Sequence, residues 1–203
     1  MIRRTALARP AFFAAAAVAL AGLAIGASAA PASAASGYTC NGKTATIVGT
    51  GASNEIEGTS GNDVIVGLGG HDEIDGNGGN DTICGGAGND ELEGGTGNDW
   101  ISGGDGRDEI SGDRGNDALY GNAGNDEISG DSGNDSIRGG AGRDELDGDS
   151  GKDRIWGNSG NDKIEGGTGK DRLSGGAGKD RVYANESPSH DDDDDHGHGG
   201  DDD

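Results

Sequence analysis

The sequence predicts an all-β stack of short repeated coils, and three observations predict it. One nine-residue unit recurs fourteen times between Gly58 and Tyr183 without insertion or deletion. Every copy places Gly at position 4 and Asp at position 6, and position 8 is always aliphatic. No other position is dependably apolar, so a single copy can bury one side chain and must stack on its neighbours to bury it at all.

The elements follow in order along the unit. Position 2 is Gly, Asn or Asp in every copy but two, Thr59 and Leu68. Those three residue types best tolerate a left-handed backbone, which places a turn there. The turn ends at Asp63, Asp72, Asp81, Asp90, Asp99, Asp108, Asp117, Asp126, Asp135, Asp144, Asp153, Asp162, Asp171 and Asp180. The last three positions read as a strand whose middle side chain points inward, from Ile65, Ile74 and Ile83 through to Leu173 and Val182. Position 7 is Glu at Glu73, Glu91, Glu109, Glu127 and Glu145 and never in the alternate copies, so the true period is two units. One outer face then carries these glutamates with Asp75, Glu93, Asp147 and Glu165. The other carries Val64, Val66, Trp100, Tyr120 and Trp156.

These residues resemble the calcium-binding nonapeptide of the repeats-in-toxin (RTX, hemolysin-type) family, G-G-x-G-x-D-x-U-x. Gly85-Gly86-Ala87-Gly88-Asn89-Asp90-Glu91-Leu92-Glu93 fits it at every defined position, and the repeats cover 126 of 203 residues. The resemblance implies a parallel β-roll, a right-handed β-solenoid with two nonapeptides per coil. It also implies multiple Ca2+ ions between turns of successive coils, held by the position-6 carboxylates and turn carbonyls. All fourteen aspartates are metal-site candidates, each paired with the one eighteen residues on. Asp63, Asp81, Asp99, Asp117, Asp135, Asp153 and Asp171 would line one edge and the other seven the opposite edge. Full occupancy by the family's geometry is about twelve ions. The residues themselves argue for a cation. Asn would serve a bare turn nearly as well, yet it never stands at position 6, and carboxylates stacked about 4.8 Å apart repel one another without one. With 3% aromatics and a formal charge of −23, the chain is expected to be largely disordered without calcium.

Outside the roll, residues 1–34 read as a secretory signal peptide. Arg3, Arg4 and Arg9 form the basic start, 11–30 is apolar, and A-x-A sites place cleavage after residue 29 or 34. An uncleaved anchor is disfavoured because the stretch is mostly Ala, and whether export is Sec or twin-arginine stays open. The expected location is extracellular, with no stable membrane insertion once the leader is removed. Residues 35–57 are expected to cap the roll, with one degenerate repeat at 49–57 that carries Asn54 at the Asp position. A roll continued backward in register would set Cys40 and Cys84 about 10 Å apart, too far to bridge. A disulfide requires the N-terminal segment to fold back, and the sequence leaves a bond and two free thiols equally open. Residues 184–203 form a low-complexity Asp- and His-rich tail, expected to be disordered. A sharper reading gives His190, His196 and His198 weak divalent-metal capture.

Other function classes find less support. No nucleophile elbow, H-E-x-x-H helix or phosphate loop is present, and His71 reads as a solvent-facing substitute at position 5. The expectation is therefore no enzyme and no cofactor besides Ca2+. Strong acidity disfavours nucleic acid. Trp100, Tyr120 and Trp156 share one face, and two readings stand: packing against a terminal segment, or contact with a cell-surface or extracellular polymer partner. The sequence reading is a secreted calcium-binding β-roll with a structural or surface-interaction role, the alternative being an adhesion or glycan/cell-wall-binding module.

Overall fold

The computed structural model describes residues 37–184. The leader expected at residues 1–34 and the tail beyond 184, with its three histidines, lie outside the described residues.

Two parallel eight-stranded sheets face each other across a single file of aliphatic side chains. One sheet is built from three-residue strands, running from Glu55–Glu57 at one end to Arg181–Tyr183 at the other. The other starts at Ile47–Val48, continues through Val64–Gly69, Thr82–Ala87 and Trp100–Asp105, and ends at Arg172–Gly178. Partners in both sheets are eighteen residues apart, as in Ile110↔Ile128 and Leu119↔Ile137. The chain is thus an all-β parallel solenoid with two nonapeptides per coil.

The position-8 file explains the stability of the stack. From Ile65 to Ile164 its members are at most 2% exposed, and each contributes about 1.5–3 kcal/mol by leaving water. Because adjacent strands point their middle residue inward at one common period, the flanking positions 7 and 9 are driven outward. The two faces segregate as the alternation of position 7 requires: Glu73, Glu91, Glu109, Glu127 and Glu145 share a sheet, and Trp100, Tyr120 and Trp156 share the opposite one.

Three features depart from the expected unit. Strands on the aromatic face run to six or seven residues rather than three, because the ladder continues into the turn, pairing Asn122 with Gly104 and Gly140. A third ladder joins the turns themselves, linking Ser132–Gly133, Ser150–Gly151 and Thr168–Gly169. The roll also begins one coil, or two units, before Gly58: Ile47 and Ile56 both occupy core positions, paired with Ile65 and Ile74.

The position-2 turn is left-handed as expected. Asn77, Asp113, Asn122, Asp131, Asp149 and Asn158 all have positive φ there, and Leu68 adopts 81°, a value that costs a branched side chain strain.

Cys40 and Cys84 are joined by a disulfide with a Cα separation of 5.9 Å. The bridge is possible because the chain before Ile47 folds back. Thr39–Cys40 and Lys43–Thr44 pair antiparallel, the one exception to the parallel order among the described residues, and the hairpin lies over the outside of the aromatic-face sheet. Cys40, Ala45 and Val66 are buried there with Val64, Leu68, Cys84 and Trp100 packed around them. The Lys43 ammonium donates to Thr82 Oγ1 at 2.8 Å.

Candidate metal centre

Each position-6 aspartate closes a turn at the roll's edge, and its two carboxylate oxygens meet different fates. Oδ1 accepts the backbone N–H of the aspartate one coil earlier. Asp99 N–H donates to Asp117 Oδ1 at 2.8 Å and Asp117 N–H to Asp135 Oδ1 at 2.8 Å. The relay runs unbroken from Asp63 to Asp171 on one edge. On the other it runs from Asn54 through Asp72, Asp90, Asp108, Asp126, Asp144 and Asp162 to Asp180. The two rows are those that the eighteen-residue pairing predicts.

Oδ2 has no such partner. In Asp72, Asp81, Asp90, Asp99, Asp108, Asp117, Asp126, Asp135, Asp144, Asp153 and Asp162 it is buried without a hydrogen bond. A buried carboxylate oxygen left unsatisfied costs more than almost any other polar defect, so eleven repeats of the same one call for a common explanation. The remaining three aspartates differ. Asp63 Oδ2 accepts from the Thr59 N–H and hydroxyl at 2.8 and 2.7 Å, and Asp171 and Asp180 sit half-buried in the last coil.

Oδ2 lies over the position-1 glycine of its own repeat, close to a glycine carbonyl from the next coil. A methyl group on Gly112 would stand 2.7 Å from Asp117 Oδ2 and 3.1 Å from the Gly130 carbonyl oxygen, and one on Gly76 would stand 2.7 Å from both Asp81 Oδ2 and the Gly94 carbonyl. Only glycine therefore lets the carboxylate and the carbonyl of successive coils approach this closely. Among the described residues no three carboxylate, imidazole or thiol side chains converge on one point, so any ion held here takes much of its coordination from the backbone. Hard oxygen donors of this mixed kind suit Ca2+ and not a thiophilic metal.

The electrostatics agree. Burial, with neighbouring carboxylates adding to it and the backbone N–H bonds opposing it, pushes Asp108 and Asp117 up to about 7. Asp99, Asp135, Asp144 and Asp153 rise to about 6 from the same leading cause. The rows hold negative charge reluctantly at neutral pH unless a cation shares it.

The position-5 side chains brace the turns. Asn80 N–H donates to Asn62 Oδ1, Asn98 N–H to Asn80 Oδ1 and Asn116 N–H to Asn98 Oδ1, at 2.7, 2.7 and 2.8 Å. On the other edge His71 Nδ1 accepts the Asn89 N–H at 2.8 Å. His71 is exposed, as expected, but it takes the acceptor role that Asn plays elsewhere, which requires its proton on Nε2. Sequence reasoning missed this ladder and the role of the position-1 glycine. The signal for the second was present, since Gly stands at position 1 of all fourteen copies.

The sequence profile of the RTX calcium-binding nonapeptide repeat matches in four copies, over residues 48–83, 84–119, 120–155 and 156–186. The chain belongs to this family. The RTX match starts at Val48, inside the first core strand, and so includes the decayed copy at 49–57 that carries Asn54. No curated protein matches the chain.

Within the RTX roll the aromatic face is a continuous row. Trp100 and Tyr120 rings lie 5.3 Å apart, and the Arg138 guanidinium sits 5.5 Å from the Tyr120 ring and 5.0 Å from that of Trp156. Trp100 also packs on the disulfide-anchored hairpin.

Proposed function

We propose that this RTX protein is a secreted structural protein whose roll folds as Ca2+ binds between the turns of successive coils. The observation that carries the reading is the row of eleven buried, unpartnered Oδ2 atoms. Asp72, Asp81, Asp90 and their successors to Asp162 would hold the ions, with glycine carbonyls such as those of Gly94 and Gly130 opposite. Calcium supplies charge neutralisation and a bridge between successive coils. The protein's own part is to hold Oδ1 in the backbone relay, which orients Oδ2 as successive coils form. Asp63, whose Oδ2 is occupied by Thr59, is the weakest of the fourteen candidates.

Secretion is supported by the basic, apolar and A-x-A order of residues 1–34 and by the disulfide, a bond that persists in oxidising compartments. Extracellular calcium modules bind at about 0.1–1 mM, which matches sites assembled only as the chain folds. We assign the roll no catalytic step.

Far-ultraviolet circular dichroism during a calcium titration, from chelator to well above the extracellular level, tests the proposal. The expected result is a cooperative gain of β signal, and a full β signal in chelator that calcium leaves unmoved refutes it.

A second reading, contact with an extracellular polymer through Trp100, Tyr120 and Trp156, draws on their half-exposed row on a rigid sheet. Arg138 already covers faces of Tyr120 and Trp156, so such contact would use the ring edges. Unchanged surface retention after replacing all three by Ser ends it.

A further inference from the structure

The two ends of the roll are unlike each other and fit together. Glu55–Glu57 is the edge strand at the N-terminal end of its sheet and Arg181–Tyr183 the edge strand at the C-terminal end. At the C-terminal end the core file comes to the surface. Val182 is 45% exposed and Tyr183 47%, whereas Ile164, one coil earlier, is fully covered. A parallel edge carrying exposed apolar groups is a template for another strand. At the opposite end Ile56 is 9% exposed, and the hairpin that begins the described chain lies on the side strands Val64–Gly69 and Thr82–Ala87.

We propose that folded rolls stack head to tail, the last coil of one copy seating on the first coil of a second copy. The proposal goes beyond calcium binding and rests on it only for a folded roll.

Charge selects this arrangement over the alternatives. The last coil carries Lys170, Arg172, Lys179 and Arg181, while the first strand of the same sheet reads Glu55-Ile56-Glu57. Joining two C-terminal ends sets basic side chains together, and joining two N-terminal ends sets Glu55 and Glu57 against their equals. Only the head-to-tail order puts Arg181 opposite Glu55 and Val182 over Ile56. The roll already uses this contact internally, where Lys163 meets Glu145 at 2.6 Å from the same position one coil away.

The backbone continues in the same way. At interior junctions the position-7 N–H donates to the position-6 carbonyl nineteen residues earlier, as Arg181 N–H does to Asp162 at 2.7 Å. Glu55 N–H of the next copy would meet the Asp180 carbonyl by that rule. The Gly49 carbonyl would take the place opposite Asp180 that the Gly175 carbonyl holds opposite Asp162. Residues 185–203 contain no Leu, Ile, Val, Met, Phe, Tyr or Trp. A heterologous contact of this kind does not close on itself and yields linear assemblies.

Sedimentation velocity of the full chain in saturating calcium, across a roughly hundredfold concentration range, tests the proposal. Circular dichroism of each sample establishes folding first. The expected result is concentration-dependent growth of elongated species, weakened roughly tenfold or more by Arg181→Glu or Glu55→Arg alone. The double reversal, Arg181→Glu with Glu55→Arg, restores it. A folded chain that stays monomeric, or an association that both single reversals leave unchanged, overturns stacking and leaves calcium-driven folding intact. Assembly that occurs only after truncation behind Ala184 assigns the end to the acidic tail and also overturns it. A chain without β signal in calcium overturns both readings.

Discussion

Replacing Asp117 by Asn separates a cation ligand from a turn residue, because the two roles predict opposite signs. Asp117 lies at the centre of its row, with Oδ1 accepting the Asp99 N–H at 2.8 Å and Oδ2 buried and unpartnered. Asn keeps the first acceptor and turns the orphan into an amide that faces the Gly130 carbonyl. If the carboxylate serves only the turn, the exchange removes a reluctant charge, adds a donor and stabilises by about 1 kcal/mol. If it holds calcium, one site is lost. At a free concentration tenfold above the dissociation constant that site contributes about 1.4 kcal/mol, and at a hundredfold about 2.7 kcal/mol. For a domain of this size the first figure lowers the melting temperature by about 3–6 °C. The gap between wild type and variant should widen by about 1.4 kcal/mol per decade of calcium. Thermal melts at pH 8 over a calcium series provide the assay. A variant that melts at or above wild type throughout the series refutes the ligand role.

The raised carboxyls set a pH dependence. A folded value above the unfolded one, about 3.9, favours the metal-free roll fully below that pH and progressively less as pH rises through about 6 for Asp99 and about 7 for Asp117. Protons and calcium therefore compete for the same oxygens, and the calcium midpoint should rise as pH falls from 8 to 5. A midpoint that stays flat or drops contradicts the assignment. Leu119→Ala removes a fully buried member of the core file and should cost about 2–5 kcal/mol in urea unfolding at saturating calcium, with no dependence on the calcium level beyond saturation. Reducing Cys40–Cys84 opens a link spanning 44 residues and should cost up to about 4 kcal/mol. Hydrogen exchange should then rise first over 37–48, and protection unchanged there would show that the hairpin holds without the bond. Gly88→Ala puts a methyl group on the Gly70 carbonyl, so its calcium-induced β signal should be largely lost, and a normal titration would be the contrary result.

What the sequence made legible was everything imposed by strict periodicity. The inward file and the two aspartate rows follow from single positions that never vary in type, and the separation of acidic from aromatic faces follows from Glu recurring at position 7 of every second copy from Glu73 to Glu145. What it hid were the places where the unit has lost its marks. Ala45 and Asn54 stand where Asp is expected, so the coil that starts the roll carries no metal signature. Its one surviving trace is the nine-residue spacing of Ile47, Ile56 and Ile65. The disulfide was undecidable for a related reason: its feasibility depends on a hairpin that abandons the repeat, and no periodic argument reaches it. The close approach at position 1 had a visible mark in its invariant glycine, but the carboxylate and the carbonyl that meet there come from separate coils that only the fold brings together.

The two-unit period also governs how this chain can change length. Removing eighteen residues shortens the roll by one coil and leaves every downstream residue on its own side. Removing nine would carry everything beyond the cut half a turn around the axis, setting glutamates against tryptophans and leaving the odd and even aspartates in exchanged rows. Growth and loss by internal duplication or deletion are therefore neutral to the architecture only in whole coils.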